Sequence, residues 1–245
     1  MAENIERIAL LIDSDNTQIG KIESAILELS KYGKILVKRA YGNWTKDTLK
    51  NWEDTFRKLA IKPIQQIDYV KGKNATDMAL TIDAMDFLYN SEYDIFALVS
   101  SDSDFTPLAI KLRESGKTVI GIGQEKTSEA FVSSCDNFLY LEKLREISSI
   151  ENFTEEKKES ASERGKLTEL DKFLQLASDS YQNDEGFVNI GAAGAYIGRV
   201  KPDFDIQQYG VKKLPEYLRN NPNLYEIRIV KGKGTVKIIE YKIKE

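Results

Sequence analysis

Two short acidic motifs carry the side chains of this sequence that are best suited to chemistry. The first, Asp13-Ser14-Asp15-Asn16, follows an apolar run, and so does the second, Asp102-Ser103-Asp104. A third acid, Asp77, stands in the first turn of a predicted helix. Carboxylates brought together from separate segments repel one another unless a cation neutralises them, and oxygen ligands favour Mg2+ or Mn2+. The motifs therefore indicate a divalent-metal site built from acids.

The residues that the sequence lacks narrow the chemistry further. The chain of 245 residues has no histidine and one cysteine, Cys135. This composition excludes Ser-His-Asp and Cys-His catalytic arrangements, zinc sites that need imidazole, and an intramolecular disulfide. An acidic metal site needs none of these groups. It fits the hydrolysis of a phosphodiester, in which bound cations activate a water and stabilise the attacking and leaving oxygens.

Two other interpretations of the acids stay open at this point. Asp15, Asp77 and Asp104 each precede or begin a predicted helix, where a carboxylate commonly accepts hydrogen bonds from exposed backbone N–H groups. The segment 12–17 also resembles the first motif of haloacid-dehalogenase-type phosphatases, in which the first aspartate is a nucleophile. Two features disfavour that family. Asp102 and Asp104 are spaced more closely than its second acid pair, and Asp77 would have no role in it.

The elements that must position these acids alternate between strands and helices. Short apolar strands separated by helices predict right-handed βαβ units and a mainly parallel sheet with both faces covered. Such α/β sheets place their sites beyond the carboxyl ends of the strands, and Pro63 predicts an edge position for the third strand. Strands are predicted at 7–12, 34–41, 61–70, 94–99, 118–122 and 138–141, and helices at 19–31, 45–59, 76–89, 106–113 and 128–133.

The composition divides the chain into two parts joined by residues 148–165. That stretch is polar and rich in Ser, Glu and Lys, which is typical of a linker or a solvated helix extension. Residues 1–147 carry a net charge of −4 and residues 166–245 a net charge of +2, so the whole-chain value of −4 conceals a mildly basic C-terminal part.

The C-terminal part, 166–245, has the pattern of a small winged helix-turn-helix domain. An apolar stripe predicts a helix over 167–177, and a second helix is predicted at 211–218. The alternating segments 224–230 and 235–243 predict a β-hairpin with a basic turn. Helices followed by a hairpin wing describe this fold.

The N-terminal motifs, taken in order, resemble the NYN family of PIN-like nucleases. The resemblance covers about residues 5–142 and implies a Rossmann-like PIN fold and a metal-dependent ribonuclease. It assigns metal binding to Asp13, Asp77, Asp102 and Asp104, with Mg2+ or Mn2+ as the cofactor. The matching segments are Leu10–Asn16, Lys73 with Asp77 and Asp83, Leu98–Phe105, Gly116–Val119 and Cys135–Phe138.

The same resemblance assigns Asn16 and Ser100 to the catalytic site. Ser101 and Ser103 depart from the family pattern, since glycines are common at both positions. Asp83 lies six residues after Asp77, so on a helix its side chain points about a third of a turn away from that of Asp77. It therefore either contacts the metal-binding residues indirectly or faces solvent.

The segment 188–225 resembles the OST-HTH (LOTUS) domain, notably in Pro-Asp-Phe-Asp at 202–205 and in the run from Tyr209 to Leu214. This resemblance implies RNA binding and protein partners.

Lysines in both parts of the chain are candidate RNA contacts because basic side chains neutralise phosphate, and Trp44 in the N-terminal part is a candidate for stacking on a base. A solvated or packed role is the alternative for each. The candidate lysines are Lys71, Lys73, Lys201, Lys212, Lys213, Lys231 and Lys233.

The sequence thus predicts a two-domain, RNA-directed ribonuclease. No apolar run approaches the roughly 18 residues of a membrane span, so we expect no membrane segment and a cytoplasmic location. The alternative is an RNA-binding protein whose nuclease fold is inactive or regulatory. The RNA target, the mode of cleavage, the number of metal ions and the oligomeric state are not determined by the sequence.

Overall fold

The computed structural model describes residues 5–67, 74–90, 92–144, 168–231 and 237–244. The chain divides into two compact units, Met1–Ile147 and Ser148–Glu245. The predicted linker at 148–165 lies outside the described residues, so it stays a prediction.

The described part of the N-terminal unit is a six-stranded parallel sheet flanked by helices, which confirms the predicted α/β class. The strands are β1 (Arg7–Asp13), β2 (Lys34–Gly42), β3 (Lys62–Gln65), β4 (Ile95–Val99), β5 (Thr118–Gly123) and β6 (Asn137–Tyr140). The helices are α1 (Ile22–Leu29), α2 (Trp52–Leu59), α3 (Ala75–Tyr89), α4 (Thr106–Glu114) and α5 (Glu129–Ser134). Short 3₁₀ turns cover Ile19–Lys21, Asp47–Leu49, Ser103–Phe105 and Leu141–Lys143.

The strand order is β3-β2-β1-β4-β5-β6, so the direction in which the sheet grows reverses between β1 and β4. A crevice opens at such a reversal, beyond the carboxyl ends of the two strands. Both acidic motifs follow these strands. Pro63 lies in β3 at the edge of the sheet, as predicted, where its missing N–H leaves no ladder hydrogen bond unmade.

Alternate residues of β1 supply the two faces of the core. Ile8, Leu10 and Ile12 pack with residues of α1 and α2, whereas Ala9 and Leu11 pack with residues of α3 and α4. This alternation follows from the two-residue period of a strand. Because Asp13 has the parity of Leu11, its side chain belongs to the face that α3 covers.

Several element boundaries differ from the predictions. The predicted helix at 19–31 begins with a 3₁₀ turn, and only Ile22–Leu29 is α-helical. The predicted helix at 45–59 likewise starts with the 3₁₀ turn Asp47–Leu49, and α2 begins at Trp52. The third strand ends at Gln65, and residues 68–70 of its predicted range lie outside the described part of the chain.

The C-terminal unit combines helices with a small antiparallel sheet, as predicted for a winged helix. Strand β7 (Val188–Asn189) pairs with β9 (Lys237–Ile243), which pairs with β8 (Tyr225–Lys231). The helix predicted at 211–218 begins only at Leu214, because Pro215 has no N–H to donate and is tolerated only in a first helical turn. The elements are α6 (Glu169–Tyr181), β7 (Val188–Asn189), α7 (Ile190–Val200), a 3₁₀ turn (Ile206–Tyr209), α8 (Leu214–Asn220), β8 (Tyr225–Lys231) and β9 (Lys237–Ile243).

Among the helices of the described residues, none has both the length and the hydropathy that crossing a membrane requires.

Candidate active site

Asp13 is the last residue of β1, and its side chain is fully buried. Its Oδ2 accepts hydrogen bonds from Ser100 Oγ (2.7 Å) and from Asn16 Nδ2 (2.9 Å). Its Oδ1 is also buried, and no described residue gives it a hydrogen bond. Burial raises the pKa of Asp13, and hydrogen bonds from the Asn16 and Ser100 side chains, with a smaller effect of the Asp15 backbone, oppose that shift. One oxygen of this carboxylate is therefore held by the protein, while the other lacks a donor.

The loop after β4 is organised around Ser100, which is almost fully buried. Its Oγ donates to Asp13 and accepts a hydrogen bond from the backbone N–H of Asp102 (3.0 Å). Asp102 Oδ1 in turn accepts from the backbone N–H of Asp104 (2.9 Å) and caps the short 3₁₀ turn that follows. The loops after β1 and β4 are thus joined by one chain of hydrogen bonds. Of the two acids here, Asp102 is the one that caps, although the capping interpretation named Asp104.

The N-terminus of α3 contacts both loops. Asn74, the residue before the helix, donates from Nδ2 to Asp104 Oδ2 (2.8 Å). Thr76 Oγ1 donates over 3.4 Å to Asp15 Oδ2. These contacts place the first turn of α3, which includes Asp77, against the acidic motifs.

Asp77 lies in the field of the other acids. Burial raises its pKa to about 6, and the negative charges of the surrounding carboxylates raise it as well. The contributing carboxylates, in order of effect, are Asp13, Asp102, Asp104 and Asp15. The structure therefore brings the four predicted metal-binding acids to one edge of the sheet, with Asn16 and Ser100 beside Asp13.

The donors at this edge are carboxylate oxygens, a hydroxyl and an amide, which suit Mg2+ or Mn2+. The buried Asp13 Oδ1 fits a cation, because the described groups around it offer no other partner. Within the described ranges, however, no group of three or more Asp, Glu, His or Cys side chains is arranged to hold a metal ion. The acids lie along the same edge of the sheet, but they do not converge on a single metal position.

Two further features bear on the predicted RNA contacts of this domain, a positive charge near Asp15 and an aromatic cluster that includes Trp44. Lys46 Nζ lies 3.5 Å from Asp15 Oδ1. Trp44 packs against Trp52 and Phe56, at ring-centroid distances of 6.2 Å and 4.8 Å. Its role in base stacking stays a prediction, and Lys71 and Lys73 lie outside the described residues.

Asp83 points toward β2. Its Oδ2 accepts hydrogen bonds from Arg39 Nη1 (2.6 Å) and Tyr41 Oη (2.7 Å). Burial and the bond to Asp83 raise the pKa of Tyr41, so this phenol stays protonated and donates. Of the two alternatives in the sequence, solvent exposure is wrong, since only a quarter of the Asp83 side chain is exposed.

Sequence reasoning missed four residues that support the acids: Arg39, Tyr41, Asn74 and Thr76. Asn74 had a usable signal, because asparagine before a predicted helix is a typical cap. Arg39 and Tyr41 share the parity of one strand face, but the sequence contains nothing that pairs them with Asp83, some 40 residues away.

The N-terminal unit matches a known domain family over most of its length. Residues 7–142, more than half of the chain, match the NYN domain. The chain belongs to the NYN domain family. Residues 165–236 match the OST-HTH/LOTUS domain, so the two domains follow one another in the predicted order. The NYN domain is a nuclease-type domain of the PIN-like class, and the OST-HTH/LOTUS domain indicates RNA binding.

Individual proteins resemble this chain over only part of its length. An uncharacterized protein of Methanocaldococcus jannaschii is 32% identical over 126 residues, which are 49% of this chain and 48% of that protein. The chain thus spans about half the length of this relative. A crystal structure of a Vibrio parahaemolyticus protein of unknown function shows 18% identity over 57% of this chain and 95% of that one, with a TM-score of 0.49. A solution structure of an uncharacterized Nitrosomonas europaea protein shows 26% identity over 35% of this chain and 84% of that one, with a TM-score of 0.29.

The lysines predicted to contact RNA in the OST-HTH domain have different surroundings. Lys201 Nζ pairs with Glu169 Oε2 at 2.5 Å, which raises the pKa of Lys201. Lys212 and Lys213 are exposed just before α8. Lys231 ends β8 directly opposite Lys237, which was not among the candidate lysines. Lys233 lies outside the described residues.

A buried carboxylate also organises the core of the OST-HTH domain. Asp171 Oδ1 accepts hydrogen bonds from Tyr217 Oη (2.9 Å) and Tyr225 Oη (2.5 Å). Its Oδ2 accepts from the backbone N–H (2.7 Å) and the Oγ1 (2.9 Å) of Thr168. Both oxygens are satisfied, in contrast to Asp13, so this acid joins α6 to α8 and β8 and is structural.

Proposed function

We propose that this chain is an Mg2+- or Mn2+-dependent ribonuclease that hydrolyses RNA phosphodiester bonds at the acidic edge of its NYN domain. The observation that carries the proposal is the Asp13 carboxylate. Asn16 and Ser100 hold one of its oxygens, while the other is buried without a hydrogen-bond donor from any described residue. A bound cation stabilises such an oxygen better than any neutral group does.

In this proposal Asp13, Asp77, Asp102 and Asp104 hold the cation. A divalent cation bound there supplies an activated water and neutralises charge on the attacking and leaving oxygens. Ser100 keeps Asp13 in one orientation. To hold a cation, the Asp77 carboxyl, whose pKa is raised to about 6, would have to be deprotonated.

The OST-HTH domain supports RNA as the substrate. Lys231 and Lys237 face each other on neighbouring strands, and like charges in that position repel unless an anion lies between them. A phosphate group relieves this repulsion. RNA held by this domain is present at a raised effective concentration for the acidic edge, which by itself repels phosphate. Protein partners of this domain remain a further expectation.

Cleavage of a labelled single-stranded RNA by the full chain tests the proposal. We expect cleavage with Mn2+ or Mg2+ and none with a chelator. The Asp13→Asn variant should lose about a hundredfold or more of this activity, because the removed charge is the one that the cation neutralises. Asp86→Asn is the matched control, since Asp86 is exposed on α3. Cleavage that survives chelation, or full activity in Asp13→Asn, contradicts the assignment.

A second candidate is an RNA-binding protein that does not cleave. It is favoured by the arrangement of the acids, since no three of the described ones converge on a metal position. This candidate predicts RNA binding without cleavage in either metal. Assays on DNA of the same sequence and on a generic phosphomonoester separate both candidates from a phosphatase, which would hydrolyse only the small ester.

A further inference from the structure

Two of the acids on helix α3 have different surroundings: Asp77 lies near the acidic motifs, and Asp83, six residues later, lies against β2. We propose that Asp83 is a positioning residue, which works with Arg39 and Tyr41 to fix α3 on the sheet so that Asp77 stands beside Asp13. The inference rests on the proposed function, because it gives Asp83 a role at that same site.

The strand register links the two acids. Tyr41 lies opposite Asp13, and Arg39 lies opposite Leu11, in the parallel pairing of β2 with β1. Neighbouring parallel residues in register point to the same face of a sheet, so both donors lie on the face that carries Asp13. Tyr41, which donates a hydrogen bond to Asp83, is therefore the immediate neighbour of Asp13 on the adjacent strand.

Apolar packing alone does not define where α3 begins. Leu80, Ala84 and Leu88 bury one side of the helix against the sheet. Burial of this kind is nondirectional, so it restrains sliding and rotation of the helix only weakly. A slip of one residue moves a side chain by about 1.5 Å along the helix axis and by about 100° around it. Two hydrogen bonds to a single carboxylate oxygen resist both motions.

Arg39 strengthens this tie by contacting α3 twice. Its Nη1 bonds to Asp83, and its guanidinium lies 4.6 Å from the ring centroid of Phe87. Phe87 is one helical turn after Asp83, so the cation spans two adjacent positions on the same helix face. Tyr41 is fully buried, and its hydroxyl would lose its hydrogen-bond acceptor if Asp83 moved away.

The other contacts at the start of α3 use the site's own oxygens. Asn74 bonds to Asp104 Oδ2 and Thr76 bonds to Asp15 Oδ2. A cation would compete for such oxygens, so these contacts are poor anchors for a metal-bound state. The bonds from Arg39 and Tyr41 to Asp83 involve none of the site carboxylates. They hold α3 in the same place whether or not a cation is bound.

Tyr41→Phe and Asp83→Asn in the full chain test the inference. Tyr41→Phe keeps the buried ring and removes only the hydroxyl, so it is the milder change. Direct Mn2+ binding and RNA cleavage should both be measured. We expect Mn2+ affinity and kcat to fall by about ten- to a hundredfold in Asp83→Asn, because misplacement of about 1 Å has effects of that size. We expect smaller losses in Tyr41→Phe, and a KM for RNA close to that of the wild type in both variants.

The controls separate positioning from simple destabilisation. Asp86→Asn, exposed on the same helix, should bind Mn2+ and cleave RNA like the wild type. Excess Mn2+ should restore kcat in Tyr41→Phe, whereas a loss of folded protein lowers kcat without changing the Mn2+ affinity of the remainder. Wild-type Mn2+ affinity in both variants overturns the inference alone. A wild-type chain that neither binds Mn2+ nor cleaves RNA overturns the proposed function and this inference together.

Discussion

Ser100 Oγ lies 2.7 Å from Asp13 Oδ2, although the two residues are 87 positions apart in the chain. The contact exists because β1 and β4 are neighbours where the sheet order reverses, with Ile12 paired to Val99. It joins the two acidic motifs, and the other oxygen of Asp13 has no hydrogen-bond donor among the described residues.

Ser100→Ala should weaken metal-dependent cleavage by about tenfold, because groups that orient a metal ligand commonly contribute that much. The change removes the donor to Asp13 and the acceptor for the Asp102 N–H. The measurement is the Mn2+ concentration that gives half-maximal cleavage. Ser103→Ala, an exposed serine of the same loop, should behave like the wild type. Equal metal dependence in both variants would show that the hydrogen bond is unimportant.

Asp77→Asn should stabilise the metal-free protein at neutral pH. The pKa of Asp77 rises from 3.8 to about 6 on folding, so the folded state holds the proton more tightly than the unfolded chain. This group therefore lowers stability as pH rises from about 4 to about 6, with no further change above that range. With allowance for solvent screening, we expect a gain of about 1 kcal/mol above pH 6 and none below pH 4.

Urea unfolding with a chelator, followed by tryptophan fluorescence, measures this gain. Both tryptophans of the chain, Trp44 and Trp52, lie in the NYN domain, so the signal reports that domain alone. Added Mn2+ should stabilise the wild type more than Asp77→Asn. A variant that matches the wild type at pH 4 and at pH 7.5 would contradict the raised pKa.

Replacing Lys231 and Lys237 with alanine should weaken RNA binding and lower its salt dependence. Each lost phosphate contact reduces the slope of log affinity against log salt by about 0.7 on a single strand, so the double variant should lose about 1.4. Binding is measured with a chelator present to prevent cleavage. Lys244→Ala, near the other end of the same hairpin, is the control. An unchanged slope would remove this hairpin from the RNA interface.

Asp171→Ala should destabilise the OST-HTH domain by about 3 kcal/mol, because it leaves the buried hydroxyl of Tyr225 without an acceptor and removes one of the two partners of the Tyr217 hydroxyl. Hydrogen–deuterium exchange of the full chain detects this as faster exchange in the C-terminal unit, with NYN peptides as the internal reference. Asp203→Ala, at an exposed position, should leave exchange unchanged. Equal protection in both variants would show that the hydrogen bonds contribute little.

The sequence was sufficient for the α/β class, the edge position of Pro63 and the acids at the strand ends. These follow from local information, since strand and helix periods and the order of motifs are written in neighbouring residues. The predicted starts of α1, α2 and α8 were wrong, because each lay several residues before the first α-helical residue. Periodicity does not distinguish a 3₁₀ turn, or the irregular residues before Pro215, from the α-helix that follows.

Sequence alone therefore determined which acids are available for metal chemistry and, through the missing histidine, which hydrolytic designs are excluded. Only the tertiary structure decided what each acid does. It left one oxygen of Asp13 without a donor, turned Asp83 toward Tyr41, and enclosed Asp171 with tyrosines. These outcomes depend on contacts between segments dozens of residues apart, and such contacts exist only once the strands have paired and the helices have packed.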